Sequence, residues 1–289
     1  MLNEQNIRDV EVHARSMRRW IVRSLSVAGS GHLGGSLGQA DIYAALYFGE
    51  INGEKVLRFS RRPLDLLGSD RDILVQSNGH TVPVRYAAFH ELGLIDDNAM
   101  LSLRKFGSCL QGHPERTLLP EVETTSGPLG EGLSQAAGMA LGFRLQNENS
   151  RRVFVTLGDG ELDEGENWEA IMFTAKNQLS NLVAIVDFNG LQLSGSVQRI
   201  MPLEPLADKF NAFGWNVLVC DGNDVRELLK TLARSVSEKN KPTVIISKTI
   251  MGAGIPEIEN DYHWHGKAPT IEQAERWVKL LSDQAEVES

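Results

Sequence analysis

Two cysteines, Cys109 and Cys220, are all that the 289 residues contain. They are far apart and form no CxxC pair, which excludes a disulfide framework and a cysteine-based zinc site; buried thiols are the expected reading. Positive charge is also in deficit, with a formal net charge of −9 at pH 7. Its Lys and Arg residues are scattered apart from short pairs such as Arg18-Arg19, Arg61-Arg62 and Arg151-Arg152. That pattern gives no basic face for nucleic acid, and each pair is expected on a solvated surface. The amino terminus, MLNEQNIRDVEVHARS, lacks the apolar core of a signal peptide or an early membrane span, so the expectation is a cytoplasmic protein with no membrane partner. No GxGxxG follows the first predicted strand with an acidic residue at the right distance, which argues against a Rossmann dinucleotide site.

What remains is an ordinary globular composition, 42% hydrophobic and 23% charged, with apolar mass for a large core. No internal break divides the chain, so residues 1–289 are expected to form one domain. Apolar periodicity from Ile7 to Ala28 predicts an amphipathic helix, broken by the glycine-rich run GSGHLGGS that ends at Ser36. A second helix is expected through DIYAALYF, a short strand at DILVQ and a helix at VPVRYAAFHELG. Thereafter RRVFVTLGDG, NLVAIVDFNG, WNVLVC and TVIISKT read as strands. Helices at LSQAAGMALGFRLQNE, WEAIMFTAKN, VRELLKTLARSV and IEQAERWVKLL precede, separate or follow them. Continuous apolar strands alternating with helices predict an α/β fold, a doubly wound, mostly parallel sheet with helices on both faces, and ligands at the carboxyl ends of the strands.

The strongest local signal is Gly158-Asp159-Gly160 at the end of one predicted strand, with Asn189 just past the end of the next. Flanking glycines let backbone approach a bulky anion, Asp159 offers a hard carboxylate and Asn189 an amide oxygen. Mg²⁺ takes roughly six oxygens at about 2.0–2.1 Å. One carboxylate, one amide, a backbone carbonyl such as that of Leu191, phosphate oxygens and water would complete such a shell. GDG alone is a common strand-to-loop turn and carries little weight by itself.

In the longer runs GDGELDEGENWEA and NLVAIVDFNGLQLSG the sequence resembles the thiamine-diphosphate fingerprint. The wider resemblance is to the amino-terminal domain of transketolases. It spans nearly the whole chain through SGHLGGSLG, SNGHTVPVRYA, QGHPE, TSGPLGEG, GDGELDEG, DFNGLQLSG and WHGKAPT, in that order. The resemblance implies thiamine diphosphate with Mg²⁺, or another divalent cation such as Ca²⁺ or Mn²⁺, held by Asp159, Asn189 and the Leu191 carbonyl. His80, the Gly127-Pro128-Leu129 backbone, Gly160 and Asn189 would contact the cofactor. Four of seven histidines, His32, His80, His113 and His265, sit in glycine-flanked loops within these motifs; ketol transfer needs groups that titrate near neutrality to bind sugar hydroxyls and move their protons.

In that family the cofactor's C2 carbanion attacks a ketose carbonyl, the sugar C2–C3 bond breaks, and an aldose accepts the two-carbon unit. By resemblance His32 and His265 would contact the sugar hydroxyls near the breaking bond, His265 accepting the C3-hydroxyl proton, and His113 would face the carbonyl-derived oxygen. Glu164 reads equally as part of a carboxylate network joining cofactor sites across a dimer or as an exposed loop acid. Lys248 either supports the site or caps the sheet. Three positions depart from the familiar pattern: Leu33 replaces proline, Ser194 replaces aspartate, and Asn78 precedes Gly79-His80 where it could tune the sugar pocket. The resemblance covers only the first domain of a full-length transketolase. A split enzyme is therefore expected, in which a carboxyl-terminal transketolase subunit carries the pyrimidine-binding domain, two copies of each chain assemble, and the substrates are sugar phosphates. Two alternatives are the alpha subunit of a thiamine-dependent 2-oxoacid dehydrogenase or decarboxylase, against which the histidine motifs speak, and a nonenzymatic cofactor-binding regulatory module.

Overall fold

The computed structural model describes residues 2–59, 71–148 and 150–287; the Arg61-Arg62 pair lies outside them. Five parallel strands form the central sheet: β1 (Ile73–Gln76), β2 (Val153–Gly158), β3 (Leu182–Phe188), β4 (Asn216–Asp221) and β5 (Thr243–Lys248). Their spatial order is β1-β2-β3-β5-β4. In register, Val155 of β2 lies between Val75 of β1 and Ala184 of β3. Along β2, Val153 and Val155 enter one apolar cluster while Phe154 enters the other. This two-sided burial is why the strands read as continuous apolar runs rather than alternating ones.

On one face lie helices α1 (Glu4–Ala28), α3 (Ala40–Phe48), α4 (Pro83–Glu91), α8 (Val225–Ser237) and α9 (Ile271–Val287), with α2 (Leu33–Gly38) between the first two of them. On the other face lie α5 (Glu131–Leu145), α6 (Gly165–Lys176) and α7 (Leu206–Ala212). The small side chains of Ala136, Ala137 and Ala140 bring α5 close against the sheet. Each fully buried Val, Leu, Ile or Phe contributes about 1.5–3 kcal/mol before conformational entropy is subtracted.

The connections β1–α5–β2 and β2–α6–β3 step the chain across the sheet on one face. It then reaches the far edge at β4 and returns inward through α8 on the opposite face to β5. The order therefore reverses between β3 and β5, the place where an open parallel sheet leaves a crevice at its carboxyl edge.

The expected helices and strands are all present, with altered ends. The first begins at Glu4, because the Asn3 side chain accepts from the Gln5 N–H and satisfies one of the free amides of the first turn. It stops at Gly29, whose φ of 66° is left-handed. The glycine-rich run expected to be a break folds at its second half into α2. Its glycines allow close approach, since a Cβ on Gly34 would stand 2.6 Å from the Met251 Cγ and one on Gly38 2.8 Å from the Ile250 carbonyl oxygen.

Two of the arginine pairs do not lie on a solvated surface. Arg18 is 7% and Arg151 1% exposed. Arg18 makes a two-pronged ion pair with Asp41 of α3, while Arg151 donates to the Arg71 carbonyl and to Glu148. A buried guanidinium needs such partners to offset its desolvation. Only one member of each pair remains partly accessible, because adjacent residues face different surroundings. The thiols split likewise, Cys220 being buried and Cys109 half-buried.

Candidate active site

At the carboxyl edge of the sheet a cleft of about 340 Å³ collects residues from most of the loops there. His32 precedes α2. Asn78 and His80 follow β1, Gly127 and Leu129 precede α5, Asp159 and Gly160 follow β2, and Asn189 and Leu191 follow β3. His113 and His265 arrive on longer loops. All of these line the one cleft. Of the site residues expected from sequence, Pro128 alone is missing from that lining; it stands exposed at the margin.

Three of the four loop histidines pack on one another. The ring centroids of His32 and His80 are 4.9 Å apart, those of His80 and His265 5.2 Å, and those of His32 and His265 5.6 Å. Burial, followed by the neighbouring His265, His113 and Arg104, pushes the His32 pKa down to about 4. Burial likewise holds His80 well below the usual histidine value and lowers His265. His113 stands more openly on its loop, and is lowered by partial burial and by Arg104. At neutral pH these rings are uncharged, each with a nitrogen able to accept a proton. The Nδ1 atoms of His32 and His265 are buried without a hydrogen-bond partner, as is the Ser126 hydroxyl beside Gly127. Unpartnered polar atoms gathered at one cleft are what a polar ligand would satisfy.

The opposite wall is acidic. Asp159 is 2% exposed; its Oδ1 accepts from the Gly160 N–H at 2.7 Å and its Oδ2 from the Gly190 N–H at 2.6 Å. Burial and then the nearby Asp187 raise its pKa to about 7. Asp187, the penultimate residue of β3, is raised by burial to about 6 although it accepts from Thr249, Asn189 and Gln39. Glu161 accepts from the Gly130 and Gly158 amides at 2.9 and 3.0 Å and from the Ser77 hydroxyl, and burial pushes it up too. Among the described residues no Lys or Arg forms an ion pair with any of the three. Desolvated carboxylates without a base are stabilised by a cation.

The donor set fits a hard cation in part. Among the described residues no three His, Cys, Asp or Glu side chains converge as a metal-holding cluster. A carboxylate, an amide and a backbone carbonyl, from Asp159, Asn189 and Leu191, could supply part of a shell, and such a half-filled oxygen shell would suit Mg²⁺ completed by phosphate and water. Gly127 lines the cleft with open space where a side chain would stand, leaving its backbone accessible to a bulky group.

Glu161, Asp187 and Gln39 escaped the sequence reading. The two acids stand inside the GDGELDEG and DFNGLQLSG motifs, so their signal was an acid in each motif with no surface to occupy. Gln39 gives no such signal, because only the fold shows it pointing at Asp187. Asn78, expected to tune a sugar pocket, has its amide on the Gln39 Oε1 and its oxygen on the Thr156 hydroxyl, and so belongs to the cleft's floor. Glu164 and Lys248 are both exposed.

The family profile described as transketolase, thiamine diphosphate binding domain, matches residues 11–280. The apulose-4-phosphate transketolase subunit of Actinobacillus succinogenes is 38% identical over 278 residues, covering 96% of this chain and 97% of that protein. Transketolase-like protein 2 of Homo sapiens is 39% identical over 275 residues, covering 94% of this chain but 42% of its own length. The structure of transketolase from Campylobacter jejuni superposes with a TM-score of 0.83 at 29% identity, over 99% of this chain and 43% of that one. The chain thus spans less than half of the two longer relatives and nearly all of the Actinobacillus protein. These matches favour the transketolase reading over a 2-oxoacid dehydrogenase alpha subunit. With its fold, the motif order and the family profile in agreement, this chain belongs to the transketolase family, as its thiamine-diphosphate-binding domain.

Proposed function

We propose that this chain is the diphosphate-binding subunit of a two-chain transketolase, moving a two-carbon ketol unit from a ketose phosphate to an aldose phosphate. The observation that carries the reading is the convergence, in one cleft, of three mutually packed neutral histidines and a cation-deficient Asp159–Asn189 wall. Asp159, the Asn189 amide oxygen and the Leu191 carbonyl would hold Mg²⁺, or Ca²⁺ or Mn²⁺ in its place. The Gly127-Pro128-Leu129 backbone, Gly160 and His80 would face the diphosphate. When bound, thiamine diphosphate supplies the carbon nucleophile and the electron sink for carbon–carbon cleavage.

The chain's own residues orient the sugar and move protons. His265, neutral and with an unpartnered nitrogen, takes the proton from the donor's C3 hydroxyl oxygen and returns one to the acceptor's carbonyl oxygen in the second half-reaction. His32 binds a hydroxyl beside the breaking bond, and His113 faces the oxygen derived from the donor carbonyl. A second chain bearing the pyrimidine-binding domain would close the cleft, with two copies of each. Leu129 and Leu193 line the cleft yet are 39% and 65% exposed, an apolar rim of the kind that another protein surface covers. The Actinobacillus protein, which this chain matches end to end, is itself named as one subunit of a transketolase, and that supports the same arrangement. We place the assembly in the cytoplasm; among the described residues no helix is long and apolar enough to cross a membrane.

The test is ketol transfer from xylulose 5-phosphate to ribose 5-phosphate with thiamine diphosphate and Mg²⁺, comparing the chain alone with the chain coexpressed with a pyrimidine-domain partner. Activity only in the mixture is expected. Turnover by the isolated chain would sink the two-chain reading, and silence in both would transfer the search to other ketoses.

A further inference from the structure

Beneath the cleft runs a line of hydrogen bonds with one direction. A carboxylate can only accept, so the amides that touch Asp187 must present their nitrogens to it. Asn189 donates from Nδ2 to the Asp187 Oδ2 at 3.1 Å, and Gln39 donates from Nε2 to the same oxygen at 3.0 Å. Thr249 donates its hydroxyl to the other oxygen. Having given its nitrogen to Asp187, Gln39 turns its Oε1 to the Asn78 Nδ2 at 3.1 Å. Asn78 then turns its Oδ1 to the Thr156 hydroxyl at 3.2 Å. Thr156 has spent its proton there, so Tyr43 donates to it across 3.0 Å. One buried acid therefore dictates which way three amides face. An amide's nitrogen and oxygen have nearly the same shape, so its orientation is set by the donors and acceptors that it meets.

We infer that Asp187 is a positioning residue for the cation: by accepting the Asn189 nitrogen it turns the Asn189 Oδ1 away from itself and fixes that oxygen as a ligand. The Oδ1 accepts from the Leu191 N–H at 2.9 Å with one lone pair, leaving the second for the cleft that Asn189 lines. With the amide reversed, two N–H bonds would face the cation. This rests on the cation–diphosphate reading above and adds a residue that touches neither metal nor sugar.

The experiment titrates Mg²⁺ into the chain at fixed thiamine diphosphate, following binding by calorimetry and the melting temperature of the metal-free protein alongside. Asp187→Leu keeps much of the bulk but offers no acceptor to the Asn189 nitrogen. The apparent Mg²⁺ affinity is expected to fall 10–100-fold, the range typical for partners that orient a metal ligand. Cofactor affinity should recover to within about twofold at saturating Mg²⁺, a split that a merely structural role does not produce. Thr249→Val removes a donor to Asp187 but leaves its grip on Asn189, and should stay within about threefold of wild type. Should Asp187→Leu fail to fold, Asp187→Ala carries the test with the same expected loss; Gln39→Leu, which ends the relay at Asp187 and leaves the Asn189 bond intact, should hold its Mg²⁺ affinity within about threefold.

Unchanged Mg²⁺ affinity in Asp187→Leu, or a tenfold loss in Thr249→Val or Gln39→Leu, overturns the inference. Asp159→Ala keeps the two failures apart. If it binds cofactor as wild type does, the cation site itself is wrong; if it loses binding while Asp187→Leu matches wild type, the orienting role alone falls.

Discussion

Replacing His32 by asparagine should change how the cofactor-free chain responds to acid. In the folded protein burial lowers the His32 pKa from 6.5 to about 4. Above pH 6.5 the ring is neutral folded and unfolded, so it contributes nothing to the pH dependence. As pH falls from 6.5 toward 4 the unfolded chain takes up a proton that the folded chain refuses, and folding loses stability throughout that window. The full shift corresponds to about 3 kcal/mol at 1.36 kcal/mol per pKa unit. Because part of the ring still meets solvent, about 2 kcal/mol is the better expectation.

Asp159 and Asp187, raised by burial to about 7 and about 6, act in the opposite direction over the same range, so the absolute stability curve does not isolate the histidine. The difference between wild type and His32→Asn does. Guanidinium unfolding at pH 7.5 and pH 4.5 should show the variant gaining about 2 kcal/mol on wild type between the two. Parallel curves would mean that His32 is not held neutral by burial, and would remove the premise that the ring cluster enters catalysis uncharged.

Four further outcomes follow from the site and its supports. Asp159→Ala should abolish Mg²⁺-dependent thiamine diphosphate binding in calorimetry, whereas His265→Ala should bind the cofactor normally and lose ketol transfer in the two-chain assay. Glu123→Ala strands the fully buried Arg85, which donates to Glu123 at 3.0 Å, and should cost about 3–5 kcal/mol in chemical unfolding. Because Glu123 also accepts from the Leu74 N–H at 2.7 Å, its loss should loosen the loop from His113 to Gly127 and weaken cofactor binding. Gly132→Ala would set a Cβ 2.7 Å from the Ser77 Cα, and should destabilise by about 1–3 kcal/mol through forced separation of α5 from β1, read as a lower melting temperature.

The sheet and its covering helices were legible because two-sided burial leaves a plain mark, runs such as VFVTLG and LVAIVDF without polar interruption. The site was legible as motifs, since glycine beside histidine or aspartate in a loop has few structural reasons to exist. What stayed hidden depended on distance. Arg18 and Arg151 resemble surface residues because charge is normally solvated, and only their partners, the buried Asp41 and the half-buried Glu148, explain them. Gln39 and Asp187 lie far apart in the chain and share a 3.0 Å bond that no local pattern encodes. Pro128 shares the motif TSGPLGEG with Gly127 and Leu129, which line the cleft, while its own ring stands exposed beside them.

The wall formed by Asp159, Asp187 and Glu161 makes loading conditional. A bare diphosphate approaching three desolvated carboxylates meets repulsion from groups that cannot move away, and a bare cation finds only half of the oxygens it needs. On the proposed reading, each is admitted by the other. Cation and cofactor should accordingly behave as one ligand with a joint dependence on both concentrations, so that scarcity of either in the cell empties the site of both.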